Sequence, residues 1–223
     1  DNASVTVDDN GLVTAATANS SAAITATADG INAAVVVSTV RPRLAFLWND
    51  DSEATGNRSP DEWYSYNSLG GANSVSHGAG ADGLYSAIFP GHEREANETE
   101  AIFVSGYDMD AGGYCNQSSW AATVLSIHCF DAGGNLANAR WTAAHISSGA
   151  LPGRFAYGWV SSGETSTNPS TAFRFNSSGM QSVGVRLGVG EYNISFEGLE
   201  RTNNNQREAV IVNAYGSDAA CQV

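Results

Sequence analysis

One pattern runs through this chain twice. Arg43–Trp48 reads RLAFLW and Arg154–Trp159 reads RFAYGW; YNSLGGANSV at Tyr66–Val75 returns as FNSSGMQSV at Phe175–Val183. GLYSAIFPG at Gly83–Gly91 returns as GEYNISFEG at Gly190–Gly198, and IFVSGYD at Ile102–Asp108 as VIVNAYG at Val210–Gly216. YCNQ at Tyr114 returns as ACQV at Ala220. The order is kept. The offset is 111 residues from Arg43 to Arg154 and 106 from Tyr114 to Ala220. Self-similarity at a near-constant spacing means that one structural unit occurs twice.

Each unit reads as strands. In Tyr85–Phe89 and Tyr192–Phe196 aromatic and aliphatic residues recur at every second position, the period of a half-buried strand. Gly-rich turns separate such runs every ten or so residues, the pattern of a β-sandwich with about seven strands. The expected fold is all-β: tandem sandwiches, the second incomplete, with an N-terminal strand extension. Residues 41–150 form the complete copy. Residues 151–223 form a copy that stops two residues past its cysteine, Cys221. Residues 1–40 hold short apolar runs too few and too small to build a core alone. Cys115 and Cys129 sit on neighbouring strand-like runs, and a disulfide is expected between them, leaving Cys221 without a partner.

A sandwich that lacks its last strands leaves backbone groups unpaired along an edge and apolar side chains facing water. The expectation is that strands of residues 1–40 of another copy fill this gap. The donor residues would be Ala3, Val5, Val7, Leu12, Ile24, Val35 and Val37. The acceptor groove would be lined by Phe173, Phe175, Tyr192, Ile194, Phe196 and Ile211, on strands at Ala172–Ser178, Glu191–Phe196 and Ala209–Tyr215. SVTVDDNGLVTAATA at Ser4–Ala18 also mirrors SIHCFDAGGNLANARWTA at Ser126–Ala143 in layout.

The stretch ASVTVDDNGLVTAATANSSAAITATADGINAAVVVSTV (Ala3–Val40) resembles the second half of a bacterial immunoglobulin-like group 2 domain, with the first half absent. The two longer repeats resemble Ig-like modules of secreted bacterial surface proteins. The layout as a whole resembles donor-strand fibre subunits, in which an extended segment of one protomer completes the sheet of the next. The resemblance implies Ig-like sandwiches and a head-to-tail homopolymer at the cell surface, and it carries no functional residues. The alternative is a stretch of a longer multi-domain surface adhesin, with carbohydrate- or partner-binding modules and the missing strands following Val223.

Composition narrows the chemistry. The net charge is −13 and all ten basic residues are arginines. Such a surface repels nucleic acid and anionic membranes, and without lysine no Schiff-base chemistry is open. No apolar run reaches membrane-spanning length. His77, His92, His128 and His145 show no metal-binding spacing. The GHERE run at Gly91–Glu95 reads as a solvated loop, and the acids of Asn49–Glu53 and of Asp108 and Asp110 as solvated turns. No catalytic residues, metal or cofactor are expected, and the chain is read as a non-enzyme. Trp48 and Trp159, at equivalent repeat positions, are expected in the cores; with Trp63, Trp120 and Trp141 they are the candidates for a sugar-stacking face. Asn-x-Ser/Thr triplets at Asn2, Asn19, Asn57, Asn97, Asn116, Asn176 and Asn193 fit a glycosylated extracellular surface.

Overall fold

The computed structural model describes residues 5–11, 13–15, 20–39, 43–94, 98–109, 112–148, 151, 153–161, 168–201 and 209–221. The chain is all-β and divides into two compact units, 1–42 and 43–223, so both repeat copies share the second unit. Among the described residues no helix is long and apolar enough to cross a membrane.

The first unit consists of hairpins. β1 (Val5–Val7) pairs antiparallel with β2 (Val13–Ala15), and β3 (Ser20–Ala28) with β4 (Ile31–Thr39). Both turns are built for reversal. Asp8 Oδ1 accepts from Asn10 N while Gly11 takes a positive φ, and Asp29 and Gly30 both have positive φ between β3 and β4.

In the second unit the first repeat is a two-layer sandwich. One sheet runs β10 (Glu100–Tyr107), β13 (Arg140–Ser147), β5 (Leu44–Asn49), β7 (Ser65–Asn67). The other runs β11 (Tyr114–Ala121), β12 (Val124–Phe130), β9 (Leu84–Ile88), β8 (Ser74–His77), β6 (Gly56–Arg58). Alternate residues turn inward as the period-two pattern requires. Ala45 and Leu47, Val75, Tyr85 and Ala87, Leu125 and Ile127, and Trp141 and Ala143 meet with Phe89 and Val104 in one buried cluster. Cys115 and Cys129 lie opposite each other on β11 and β12 and are joined by a disulfide inside this cluster.

The second repeat rebuilds part of this architecture bond by bond. β14 (Ala156–Gly158) pairs with β15 (Arg174–Asn176) as β5 pairs with β7: Ala45↔Asn67, Phe46↔Tyr66 and Leu47↔Ser65 become Ala156↔Asn176, Tyr157↔Phe175 and Gly158↔Arg174. Leu44 N donates to Ser68 Oγ and Phe155 N to Ser177 Oγ, each at 3.0 Å. Asn67 Nδ2 donates to Pro90 O at 3.0 Å and Asn176 Nδ2 to Glu197 O at 2.9 Å. A single turn of 3-10 helix precedes the second strand in both copies, Glu62–Tyr64 and Thr171–Phe173. β16 (Ser182–Gly188) and β17 (Glu191–Phe196) form a hairpin in the place of β8 and β9 with the register slipped by one: Val75 pairs with Ala87, whereas Val183 pairs with Ser195 and not with Ile194.

Two expectations change here. Ala172–Ser178 is part 3-10 turn and part strand. Ala209–Tyr215 forms no strand, although its counterpart β10 does. β10 is a strand because β13 lies beside it, and among the described residues the second repeat has no counterpart of β13. The segment instead crosses the two edge strands of the first sandwich. Asn213 exchanges both amide groups with the backbone of Val104, Gly216 N donates to Gln117 O at 2.9 Å, and Asn116 Nδ2 donates to Ala219 O at 2.7 Å. These bonds satisfy polar groups that β10 and β11 would otherwise expose. Ser126–Ala143 runs from one sheet to the other, whereas its sequence mirror in the first unit contains the β1–β2 hairpin.

Replacing Cys115 and Cys129 together by alanine should lower stability by about 2–4 kcal/mol, for a loop closed over a separation of 14 residues. Urea unfolding with and without reductant checks this; equal midpoints would contradict it.

Candidate functional site

A buried polar chain occupies one end of the first sandwich. His92 follows β9 and His145 lies on β13, 53 residues apart, and their Nδ1 atoms are 3.0 Å from one another. His92 Nε2 contacts Asn67 Oδ1 at 3.0 Å. Because Asn67 Nδ2 already donates to Asn73 and Pro90, that oxygen accepts and His92 Nε2 carries the hydrogen. A neutral His92 therefore accepts at Nδ1, and His145 donates from Nδ1. His145 Nε2 then shares one further proton with Glu100 Oε2, 3.1 Å away, while Glu100 Oε1 accepts from Trp120 Nε1 at 3.0 Å. All of these acceptors and donors are matched, and both histidines are buried. The expected solvated loop at Gly91–Glu95 is corrected for its histidine: His92 is fully enclosed, held by a contact that local spacing does not reveal. The neighbouring guanidinium of Arg43 bonds Gly91 O, Glu93 O and the Glu98 carboxylate. The cluster is closed to substrate and reads as a structural network.

The acidic runs are also occupied. Asp51 Oδ1 accepts from the backbone of Glu53 and Ala54, which holds its carboxyl below the usual carboxylate range. Asp50 pairs with Arg58 and Asp108 with Arg140; Asp110 lies outside the described residues. Among the described residues no cluster of His, Cys, Asp and Glu could hold a metal ion.

Aromatic rings line the outer side of the four-stranded sheet. Trp48 is flanked edge-on by Tyr64 at 4.8 Å and Tyr107 at 5.8 Å, and Phe46 stacks on Tyr66 at 5.9 Å. Trp63 beside them is 84% exposed. The second repeat reproduces the set: Trp159 meets Phe173 and Tyr215 edge-on, each at 6.0 Å, and Tyr157 lies 5.8 Å from Phe175. Trp48 and Trp159 are therefore equivalent, as the repeat requires, but on the outer face; the core tryptophan is Trp141. Phe173 and Phe175 belong to this outer set as well. Phe175 also borders a groove of about 420 Å³ with Thr99, Ser148 and Arg174. Tyr157 donates to Thr99 O at 2.6 Å, and burial pushes its phenol pKa up.

The second repeat's inner side is the most unusual surface. Tyr85, Ala87 and Phe89 are core residues of the first repeat, and their counterparts are Tyr192, Ile194 and Phe196. Tyr85 is 3% exposed and Tyr192 38%; Ile194 and Phe196 are half-buried. Val185, on the opposite face of the hairpin from Ile194, is exposed, as are Leu187, Val189, Val210, Ile211 and Val212. Ile211, assigned to the groove, lies in no strand. Of the residues assigned as donors, Val7 and Val35 are exposed and Ile24 is half-buried. Val5 falls in β1 and Val37 in β4, and Ala3 and Leu12 lie outside the described residues.

The asparagine triplets separate by environment. Asn57 and Asn193 are exposed on strands, whereas Asn116 and Asn176 spend their amide nitrogens on internal carbonyls. Asn2, Asn19 and Asn97 lie outside the described residues. No family model, no curated protein and no solved structure matches this chain.

Glu100→Ala should cost about 3–5 kcal/mol, because it leaves a buried partner unsatisfied. Glu100→Gln should cost a fraction of that, since its oxygen still accepts from Trp120 and its amide donates to Nε2 of a neutral His145. Urea unfolding at neutral pH compares the two, and equal losses would refute the bonding order. In a host that glycosylates Asn-x-Ser/Thr, peptide mass spectrometry should find sugar at Asn57 or Asn193 and none at Asn116 or Asn176.

Proposed function

We propose that this protein is a structural subunit of an extracellular fibre, in which the N-terminal strands of one copy complete the second repeat of another. One observation carries the reading: residues that the repeat assigns to a sandwich core keep their apolar character in the second copy, where Tyr192 is exposed and Ile194 and Phe196 are only half-buried. Apolar side chains left open at core positions mark an interaction site. A head-to-tail contact between two different surfaces of one chain propagates into an open filament. The Cys115–Cys129 disulfide and the strongly acidic, lysine-free composition support an oxidising, extracellular setting. The closed histidine cluster and the occupied carboxylates support a structural over a catalytic role.

Binding of glycans by a surface adhesin is the second reading, favoured by the exposed aromatic row of Phe46, Trp63, Tyr64, Tyr66 and Tyr107. It predicts sugar-array signals from a monomer, lost on Tyr66→Ala.

Electron microscopy and sedimentation test the main reading. The full chain should form filaments, and a chain lacking residues 1–40 should remain monomeric or aggregate without order. Ordered fibres from the deleted chain would rule out the donor assignment.

A further inference from the structure

The first repeat records what covers the surfaces that the second leaves open. In the first repeat β9 has β8 on one side and β12 on the other, and β5 has β7 on one side and β13 on the other. Among the described residues of the second repeat, β17 is paired only with β16 and β14 only with β15. The two open edges are not equally available. None of the three residues of β14 is exposed, whereas four of the six in β17 are. Thus β17 is the accessible edge, and the strand it lacks is the counterpart of β12. That strand runs antiparallel and sets Leu125 and Ile127 opposite Ala87 and Tyr85, all four side chains buried.

β4 has the properties of such a strand. It is nine residues long, against three for β1 and for β2, and it contains no charge and no proline. Natural edge strands are commonly blunted by charge, proline or shortness, and β4 has none of these protections. Ile31, Ala33 and Val35 alternate on one face, in register with Ala26 and Ile24 of β3. Ile31 and Val35 are 74% and 58% exposed. β3 is equally long but offers mainly Ala, Thr and Ser, which bury less apolar surface.

We infer that β4 of one copy pairs antiparallel with β17 of the next, setting its Ile31–Ala33–Val35 face on Tyr192, Ile194 and Phe196. The assignment rests on the assembly reading and narrows it to one strand, one edge and one direction. The main-chain bonds of the added strand supply affinity, and the alternate side chains fill the open core.

Mixing two crippled chains tests the pairing, with Cys221→Ser in every chain because Cys221 is free and exposed. Val35→Asp disables the donor and leaves the acceptor; Ile194→Asp does the reverse. The parent should form filaments, and each variant alone should sediment as a monomer. An equimolar mixture should give a particle of twice the monomer mass that grows no further. A parent that stays monomeric overturns the assembly reading and this assignment with it. A parent that forms filaments while the mixture stays monomeric, or while either variant alone still forms them, overturns the assignment only. A second measurement does not depend on tolerance of a buried charge. Ala33→Cys with Ile194→Cys in one chain, the two positions that this antiparallel match sets opposite each other, should give a reducible ladder of multimers on oxidation. Filaments without that ladder would also reject the pairing.

Discussion

A strand hydrogen-bonded on one side carries a row of unpaired donors and acceptors on the other, and this molecule is organised around that fact. In the first repeat β12 and β13 are interior strands, each with a neighbour on both sides. They also bring Leu125, Ile127, Cys129, Trp141 and Ala143 into the core. The turn between them is prepared by Asp131, whose carboxylate accepts from the backbone of Gly133 and Asn135 and is thereby held below the usual carboxylate range. Two strands thus satisfy two sheets and fill one core. Everything that distinguishes the second repeat follows from having no counterpart of them among the described residues.

That dependence also fixes what the sequence could and could not reveal. The repeat was legible because its signals are local: the Asn67 and Asn176 turns, the arginine before β5 and β14, and the glycines ending each hairpin. Arg154 donates to Gly198 O and Glu200 O just as Arg43 donates to Gly91 O and Glu93 O. A planar fork of donors suits several carbonyls at once, which a lysine ammonium does not do as well. The facing of β5 was not legible. Leu44–Trp48 is apolar at every position, so alternation defines two faces without saying which is inner. Phe46 and Trp48 went outward with their aromatic neighbours, and the smaller Ala45 and Leu47 went inward against Trp141. The His92–His145 contact was hidden for a different reason. It joins a turn to a strand 53 residues later, and only the closed sandwich brings them together.

Ala209–Tyr215 shows the limit of propensity most clearly. Its composition is at least as strand-prone as that of Ile102–Asp108, yet only the latter forms a strand. Strand formation needs a partner, and the pairing energy belongs to both chains of the ladder. Tyr215 still reaches the ring of Trp159 as Tyr107 reaches Trp48, so the side-chain relationship outlives the backbone one.

The differences between the two copies argue for a cover over the second. His77 of β8 is 4% exposed in the first repeat and satisfies Nε2 against Ala81 O. Its counterpart in β16 is Val185, at 44% exposure. A position that had simply become surface would be expected to drift toward polar residues, because nothing there rewards a large apolar side chain. Val185 is apolar and exposed where His77 is polar and buried, and Ile194 is larger than Ala87. The two differences add apolar surface to opposite faces of the hairpin, one exposed and one half-buried in the single chain. Such changes are stabilising only if that surface is buried in the working state, where each added methylene contributes about 0.8 kcal/mol.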